Sequence, residues 1–248
     1  MLKTTKNIVL PVLLVLLVPL ALSAQALPDA RAVLARFVTE SGAAKAAAAP
    51  GSRTTGTFEM ADAGISGNLE GISSKEGRSL MVISIPGVGE IKQGSEVDFA
   101  WAMDPFQGPR IIEGAEFAEL KEQSDPKTQL RDPSIVTDAK TLERTTMDGQ
   151  PCVKLALTWK SGRTTTECYS EATGLLVASE GTQKSPMGDI QTVTFYRDYK
   201  EFDGTKSATK VVQQMMGQEQ VLTFTSVSFE AIPVEKFAPP AEVKALRK

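Results

Sequence analysis

The sequence predicts a mainly β protein whose strands follow one another as an antiparallel meander. From Arg53 onward, apolar and polar residues alternate with a period of two, which is typical of strands with one buried face. The later segments IQTVTFYRDY, TKVVQQMM and QVLTFTSVSFE are separated by DGT and GQE, which are turn signals at hairpin distance. Helical spacing is found only in short segments near the start, the centre and the end of the chain.

Residues 1–26 have the order of a secretory signal. Lys3 and Lys6 precede an apolar run from Ile8 to Leu22, and small residues follow at Ala24 and Ala26. The run is shorter than the roughly 20 apolar residues that a membrane-spanning helix needs, and it contains two prolines. We therefore expect cleavage after Ala26, a periplasmic or secreted location, and residues 27–248 as a single domain without an integral membrane span.

Composition argues against several classes of function. The signal takes two of the 27 basic residues and none of the 30 acidic ones, so the mature chain has a net charge of −5 and is a poor candidate for nucleic-acid binding. The chain contains no histidine, which removes His-assisted hydrolysis, His-ligated zinc and the usual general base near neutral pH. Asp98, Asp104 and Glu113 are interpreted as solvated or turn-forming carboxylates. We therefore expect no catalytic residue, no cofactor and no metal, and hence no enzyme.

Three segments have helical features. PDARAVLARFVTES places apolar residues at helical spacing, with Asp29 near its start and Gly42 as a stop. The alanine-rich segment after it, GAAKAAAAPGS, either extends this helix or serves as a linker. EGAEFAELKEQSD, from Glu113 to Asp125, predicts a central helix that ends before Pro126, and IPVEKFAPP predicts a short turn of helix near the end.

The two cysteines, Cys152 and Cys168, flank a predicted hairpin whose turn contains KSG, with Gly162 at a positive φ. If the loop is Lys160 to Gly162, the registers place both cysteines on one face, in diagonal rather than opposite positions. Export favours a disulfide between them, because oxidising compartments preserve such bridges. The alternative is a pair of buried free thiols.

The stretch VDFAWAMDPFQGPRIIEG sets an aromatic strand against a Pro/Gly turn. Phe99, Trp101 and Met103 share one face of that strand, because successive side chains point to opposite sides. One interpretation makes them ordinary core residues, and the other makes them the lining of an apolar cavity. Phe58 and Met60 show the same alternation in the segment TFEM.

Several motifs resemble those of bacterial periplasmic proteins in the outer-membrane lipoprotein-sorting, LolA-like superfamily, and more closely its uncharacterised relatives than the lipoprotein carrier. They are AW…P…GP, DG…C.KL, TGLL and Y…DGTK, and they extend over nearly all of the mature chain. The resemblance implies a curved antiparallel sheet that forms an incomplete barrel. It also implies an N-terminal and a central helix covering the concave face, with an apolar cavity that takes acyl chains.

Two hypotheses about function follow from this resemblance. The first is a non-enzymatic binding protein or chaperone for lipid or lipoprotein acyl chains, with cavity candidates Phe58, Met60, Phe99, Trp101 and Met103. Such a cavity binds by burying hydrocarbon, and it needs no catalytic group. The alternative is an envelope sensor or scaffold module that uses the same fold to bind a protein partner.

Overall fold

A computed structural model describes residues 26–185 and 188–247. The segment predicted as a secretory signal lies outside these residues, apart from Ala26. Five α-helices lie in the described part of the chain: α1 (Ala30–Ser41), α2 (Ala43–Ala48), α3 (Gly114–Ser124), α4 (Pro126–Gln129) and α5 (Ala241–Leu246). None of these helices combines the length and the apolar character needed to cross a bilayer.

Strands make up most of the described residues, as the alternating pattern predicts. The first six are β1 (Gly51–Met60), β2 (Ile65–Ser74), β3 (Ser79–Ile85), β4 (Gly89–Ser95), β5 (Ala100–Asp104) and β6 (Gly108–Ile112). The next seven are β7 (Val136–Met147), β8 (Gln150–Trp159), β9 (Thr164–Ser170), β10 (Leu176–Ser185), β11 (Gly188–Phe202), β12 (Thr205–Met215) and β13 (Gln218–Ser228).

All thirteen of these strands belong to one antiparallel sheet with the order β6-β5-β4-β3-β2-β1-β13-β12-β11-β10-β9-β8-β7. Neighbours in the sheet are neighbours in the chain, except that β1 pairs with β13. Within the described residues β6 and β7 form the two edges and do not pair, so the sheet does not close. The predicted mainly β fold, with an incomplete barrel, is confirmed.

Helix α3 packs against both β4 and β10, although these strands lie far apart in the strand order. The sheet must therefore be strongly curved to bring both strands to one helix. We call the side that holds α1 and α3 the inner face. Leu34 of α1 lies in one buried cluster with Leu155 and Leu157 of β8, which places these residues on that face. The prediction that an N-terminal helix and a central helix cover the concave face is therefore confirmed.

The helix boundaries follow local signals in the sequence. The Asp29 side chain accepts a hydrogen bond from the Ala32 N–H and caps α1, and Gly42 ends the helix in the left-handed region at φ 69°. The alanine-rich segment after it forms the separate short helix α2. The predicted C-terminal turn is a 3₁₀ turn at Val234–Phe237, but helix α5 beyond the two prolines was not predicted from the sequence.

The predicted disulfide is confirmed, and it lies on the outer face. Cys152 pairs with Ser170, and Cys168 pairs with Lys154, so the two cysteines are diagonal neighbours on β8 and β9. Their Cα atoms are 5.6 Å apart and their sulfurs are bonded. Gly162 in the connecting turn has φ 88°, as the KSG motif predicts. The bridge fits an extracytoplasmic location, since such bonds persist in oxidising compartments.

Replacing both cysteines by alanine should lower the free energy of unfolding by about 3 kcal/mol, because the bridge restricts the unfolded chain. The measurement is urea denaturation of the oxidised protein and the double variant at one pH and temperature. Thiol labelling of the denatured, unreduced protein provides the control and should find no free cysteine. Two reactive thiols in that sample would contradict the bridge.

Candidate ligand-binding site

The inner face carries a second apolar group, separate from the cluster under α1. We call it the inner apolar cluster, and it spans β13, β1, β2, β3 and β4. Four of its members are buried and five are half-buried: Phe58, Leu69, Ile83, Ile85, and Met60, Ile65, Ile91, Leu222, Phe224. The half-buried side chains provide apolar surface for contact with another molecule.

Strand registers establish which face this cluster occupies. Phe58 lies opposite Leu222, which lies opposite Val211, which in turn lies opposite Tyr196. Tyr196 packs against the buried cluster that contains Leu34 of α1. The inner apolar cluster therefore lies on the same face as α1 but in a different part of the sheet, because the buried side chains of α1 pack with residues of β7, β8, β9 and β10.

A glycine lies opposite Phe58. Gly67 pairs with Phe58 in the β1–β2 ladder. A Cβ atom at Gly67 would collide with the backbone carbonyl of Ser84 on β3, so the strands approach each other there more closely than a side chain permits. The close approach of β2 and β3 beside Phe58 therefore requires a glycine.

Helix α3 links two distant parts of the sheet through adjacent charged residues. Lys121 Nζ donates to the carbonyls of Gly77 and Glu96, each at 3.2 Å, in the β2–β3 and β4–β5 turns. On the other side, the Glu122 carboxylate accepts from the Ser161 N–H at 2.8 Å and from Arg163 at 3.3 Å, in the β8–β9 hairpin. Burial lowers the pKa of Lys121. The helix thus holds the two halves of the curved sheet around a shared interior.

A buried charged pair lies on the inner face beside α1. Arg131, just after α4, is 3.1 Å from the Glu167 carboxylate, and its Nε donates to the Tyr169 hydroxyl at 3.1 Å. The guanidinium lies over the rings of Phe37 and Trp159, at 5.1 and 5.3 Å from their centroids.

The surroundings of Arg131 and Tyr169 shift the pKa of each group. Burial opposes the charge on Arg131, but the Glu167 carboxylate and Tyr169 outweigh it, and the pKa of Arg131 is raised. Burial also raises the pKa of Tyr169 well above its usual value. The guanidinium of Arg131 is therefore surrounded by groups of the protein itself. Its role is to hold α4 against α1 and the sheet.

The structure does not bring the five predicted cavity residues together. Phe58 and Met60 belong to the inner apolar cluster. Phe99, Trp101 and Met103 form another cluster, together with residues of β3, β6 and α5. The two groups lie on opposite faces of the sheet and therefore cannot line one cavity. The sequence could not show this, because period-two spacing indicates which residues share a face but not which face of the sheet it is.

The registers place Trp101 on the outer face. Trp101 pairs with Gly94, Gly94 with Leu80, and Leu80 with Ile72. Ile72 pairs with Arg53, which is five residues from Phe58 on β1 and so points the other way.

Packing explains why this tryptophan is 1% exposed although it lies outside. Its ring lies on Gly94, where a Cβ atom would be 2.5 Å from the indole. Val243 of α5 completes the cluster, and Arg247 lies over the Phe99 ring at 3.8 Å. Trp101 Nε1 has no hydrogen-bond partner among the described residues. Sequence reasoning missed α5, whose single buried apolar residue is a weak signal.

The surface also carries cavities with mixed linings. One of about 630 Å³ is lined mainly by outward-pointing polar residues such as Thr57, Asn68 and Glu90. Another, of about 370 Å³, includes Asp148 and Arg197. Among the described residues, no group of three or more Cys, Asp or Glu side chains is arranged to hold a metal ion. Of the surfaces described here, the inner apolar cluster is best suited to hydrocarbon.

An open, curled antiparallel sheet with helices over an apolar inner face defines a class of β proteins that enclose a space without closing a barrel. The fold that the resemblance to the LolA-like superfamily implies is confirmed. No protein-family model matches the chain, and no match was found among curated proteins.

Three solved structures share this fold with the chain. A DUF1329 family protein from Desulfovibrio piger has a TM-score of 0.60 at 16% identity, covering 86% of this chain and 98% of its own. A LolA superfamily protein from Nitrosomonas europaea has a TM-score of 0.56 at 12% identity, with the same coverage. A domain from Vibrio parahaemolyticus, described as an outer membrane lipoprotein-sorting protein, has 0.52 at 15% identity, covering 82% and 97%.

Changing Arg131 to methionine should lower the free energy of unfolding by about 3 kcal/mol, because it leaves the buried Glu167 carboxylate without its cation. The double variant Arg131→Met/Glu167→Gln should recover most of that loss, since neither partner is then charged. Denaturant unfolding of both variants provides the measurement. If the double variant is as unstable as Arg131→Met, the ion pair is not what holds this region together.

Proposed function

We propose that this chain is a periplasmic, non-enzymatic binding protein or chaperone that holds the acyl chain of a lipid or lipoprotein against the inner apolar cluster. Removal of residues 1–26 and a single mature domain at 27–248 are part of this proposal. The disulfide on the outer face supports an extracytoplasmic location, and the fold shared with lipoprotein-sorting proteins supports the class of ligand.

The observation that carries the proposal is the half-buried apolar surface on the inner face. Phe58 forms its buried base, and Met60, Ile91, Leu222 and Phe224 keep part of their surface accessible. Burial of hydrocarbon contributes roughly 25 cal/mol per Å² of apolar area removed from water, so an acyl chain laid along this strip gains affinity without a polar contact. An unbranched, polarizable side chain such as that of Met60 adapts to a flexible ligand.

Affinity should rise with chain length, because each buried CH₂ contributes about 0.8 kcal/mol, or roughly fourfold in Kd. The change Met60→Asn should weaken the binding of every fatty acid in the series. The change Val82→Asn is the control, because Val82 is half-buried on the opposite face of β3. Calorimetric titration below the critical micelle concentration measures both.

Mass spectrometry of lipid that copurifies with the protein should identify the natural ligand class. Equal loss of fatty-acid affinity in Met60→Asn and Val82→Asn would argue against the inner apolar cluster. Absence of both copurified lipid and fatty-acid binding would favour the alternative, an envelope sensor or scaffold module for a protein partner.

A further inference from the structure

We propose that three hairpin tips at one end of the sheet form a docking edge for the surface of a zwitterionic phospholipid bilayer. We call this edge the apolar rim and define it by Val88, Phe106 and Met216. The inference rests on the proposed function, since it supplies the route by which an acyl chain reaches the inner apolar cluster.

All three rim residues are exposed, and among the described residues Phe106 and Met216 are the two most exposed large apolar side chains. Val88 is 41% exposed, Phe106 is 75% exposed and Met216 is 70% exposed. Each lies in the turn of a hairpin, between β3 and β4, β5 and β6, or β12 and β13. Single exposed apolar residues are ordinary on a protein surface, but a set of them at hairpin tips on one end of a sheet is a reason to infer an interaction surface.

The sheet order brings the tips to one edge. The hairpins β5–β6, β3–β4, β1–β2 and β12–β13 lie side by side, and their turns all fall at the end of the sheet where β1 finishes. Neighbouring hairpins are separated by two strand spacings, or roughly 10 Å. The turns that carry Val88 and Phe106 are next to each other in space, since Gly89 lies against the Pro105 ring.

Local structure fixes the outward position of Phe106. The Asp104 carboxylate accepts hydrogen bonds from the backbone N–H groups of Phe106 and Gln107, each at 2.8 Å. These hydrogen bonds fix the conformation of the turn between β5 and β6 and leave the phenyl ring at its apex. Of the two roles predicted for Asp104, solvated or turn-forming, the structure shows the second.

Met216 occupies a backbone conformation that disfavours it. Its φ is 52°, followed by Gly217 at 76°, which is the turn in which Asn-Gly is ordinarily preferred. A methionine in the left-handed region costs roughly 1 kcal/mol, so the fold is not what selects this side chain. A strained residue at an exposed position is a reason to infer a function for its side chain.

The rim continues directly into the inner apolar cluster. Met60 and Ile65 of that cluster flank the β1–β2 turn, which lies between the β3–β4 and β12–β13 tips. Ile85 precedes the Val88 turn and Ile91 follows it, both on the inner face. An acyl chain leaving a bilayer at the rim therefore meets the apolar side chains at this end of the inner apolar cluster first.

Charge at the rim selects the kind of bilayer. Acidic residues lie near each tip, namely Glu90 beside Val88, Asp104 beside Phe106 and Glu219 beside Met216. Lys92 pairs with Glu90 at 2.6 Å, and the β1–β2 hairpin adds Asp62 in its exposed turn. Acidic residues therefore outnumber the one basic residue at this edge, so it does not attract anionic headgroups, whereas zwitterionic headgroups admit apolar side chains without an electrostatic cost.

Vesicle binding tests the proposal on the whole purified protein. Wild type should cosediment with phosphatidylcholine vesicles and less with vesicles containing phosphatidylglycerol. The variant Phe106→Ser/Met216→Asn should bind at least about tenfold more weakly, because two exposed apolar groups are removed. The control is Leu142→Ser/Val234→Ser, which removes two large apolar side chains exposed elsewhere, at 46% and 59%, and should bind like wild type.

Two further measurements keep this test separate from the proposed function. The change Met216→Asn alone should raise Tm while lowering vesicle binding, which a purely structural role for Met216 would not produce. Fatty-acid affinity in solution should be unchanged in the rim variant. Equal vesicle binding by wild type and rim variant would overturn the docking edge, as would a lack of vesicle binding by a wild-type protein that still binds soluble fatty acid.

Discussion

The buried contact between Arg131 and Glu167 is the interaction on which much of the remaining arrangement depends. A charge in the interior is costly unless it is paired, and here the pair also joins three elements. Arg131 donates to the Thr128 carbonyl of α4 and lies over Phe37 of α1, while Glu167 belongs to β9. The connection between the two edge strands is thereby pinned to the inner face.

That attachment matters because the sheet does not close into a barrel. Its concave side must therefore be covered by helices. On the half built from β7 to β10, helix α1 fills the inner face with Leu34 and its neighbours. On the other half, α3 reaches across through Lys121 and Glu122 but leaves the strip around Phe58 lined by the sheet itself. The molecule thus has one half that is filled by its own helix and one that keeps accessible apolar surface.

Much of the fold could be predicted from the sequence because its determinants are local. Asp29 and Gly42 fix the ends of α1, and the KSG turn fixes the register that brings Cys152 next to Cys168. The candidate site was less predictable. Alternation correctly grouped Phe99, Trp101 and Met103 on one face, but the identity of that face depends on pairings accumulated over several strands.

Two features of the site lay beyond sequence reasoning for the same physical reason. Arg131 and Glu167 are 36 residues apart, and nothing in the pattern around either one indicates a buried partner. Helix α5 has six residues, of which Val243 alone is buried, so its position is set by the groove it fills rather than by its own periodicity. Nonlocal contacts of this kind decide which apolar residues remain accessible.

The edge strands β6 and β7 each lack a partner strand on one side, and this affects self-association of the chain. An exposed edge offers backbone donors and acceptors to any other strand and invites fibrous self-assembly. Here β6 is five residues long and contains Pro109, while β7 has two register irregularities and exposes Lys140, Glu143 and Arg144. A proline that cannot donate and charges that repel a like neighbour discourage strand addition, so the sheet can stay open without becoming a template for aggregation.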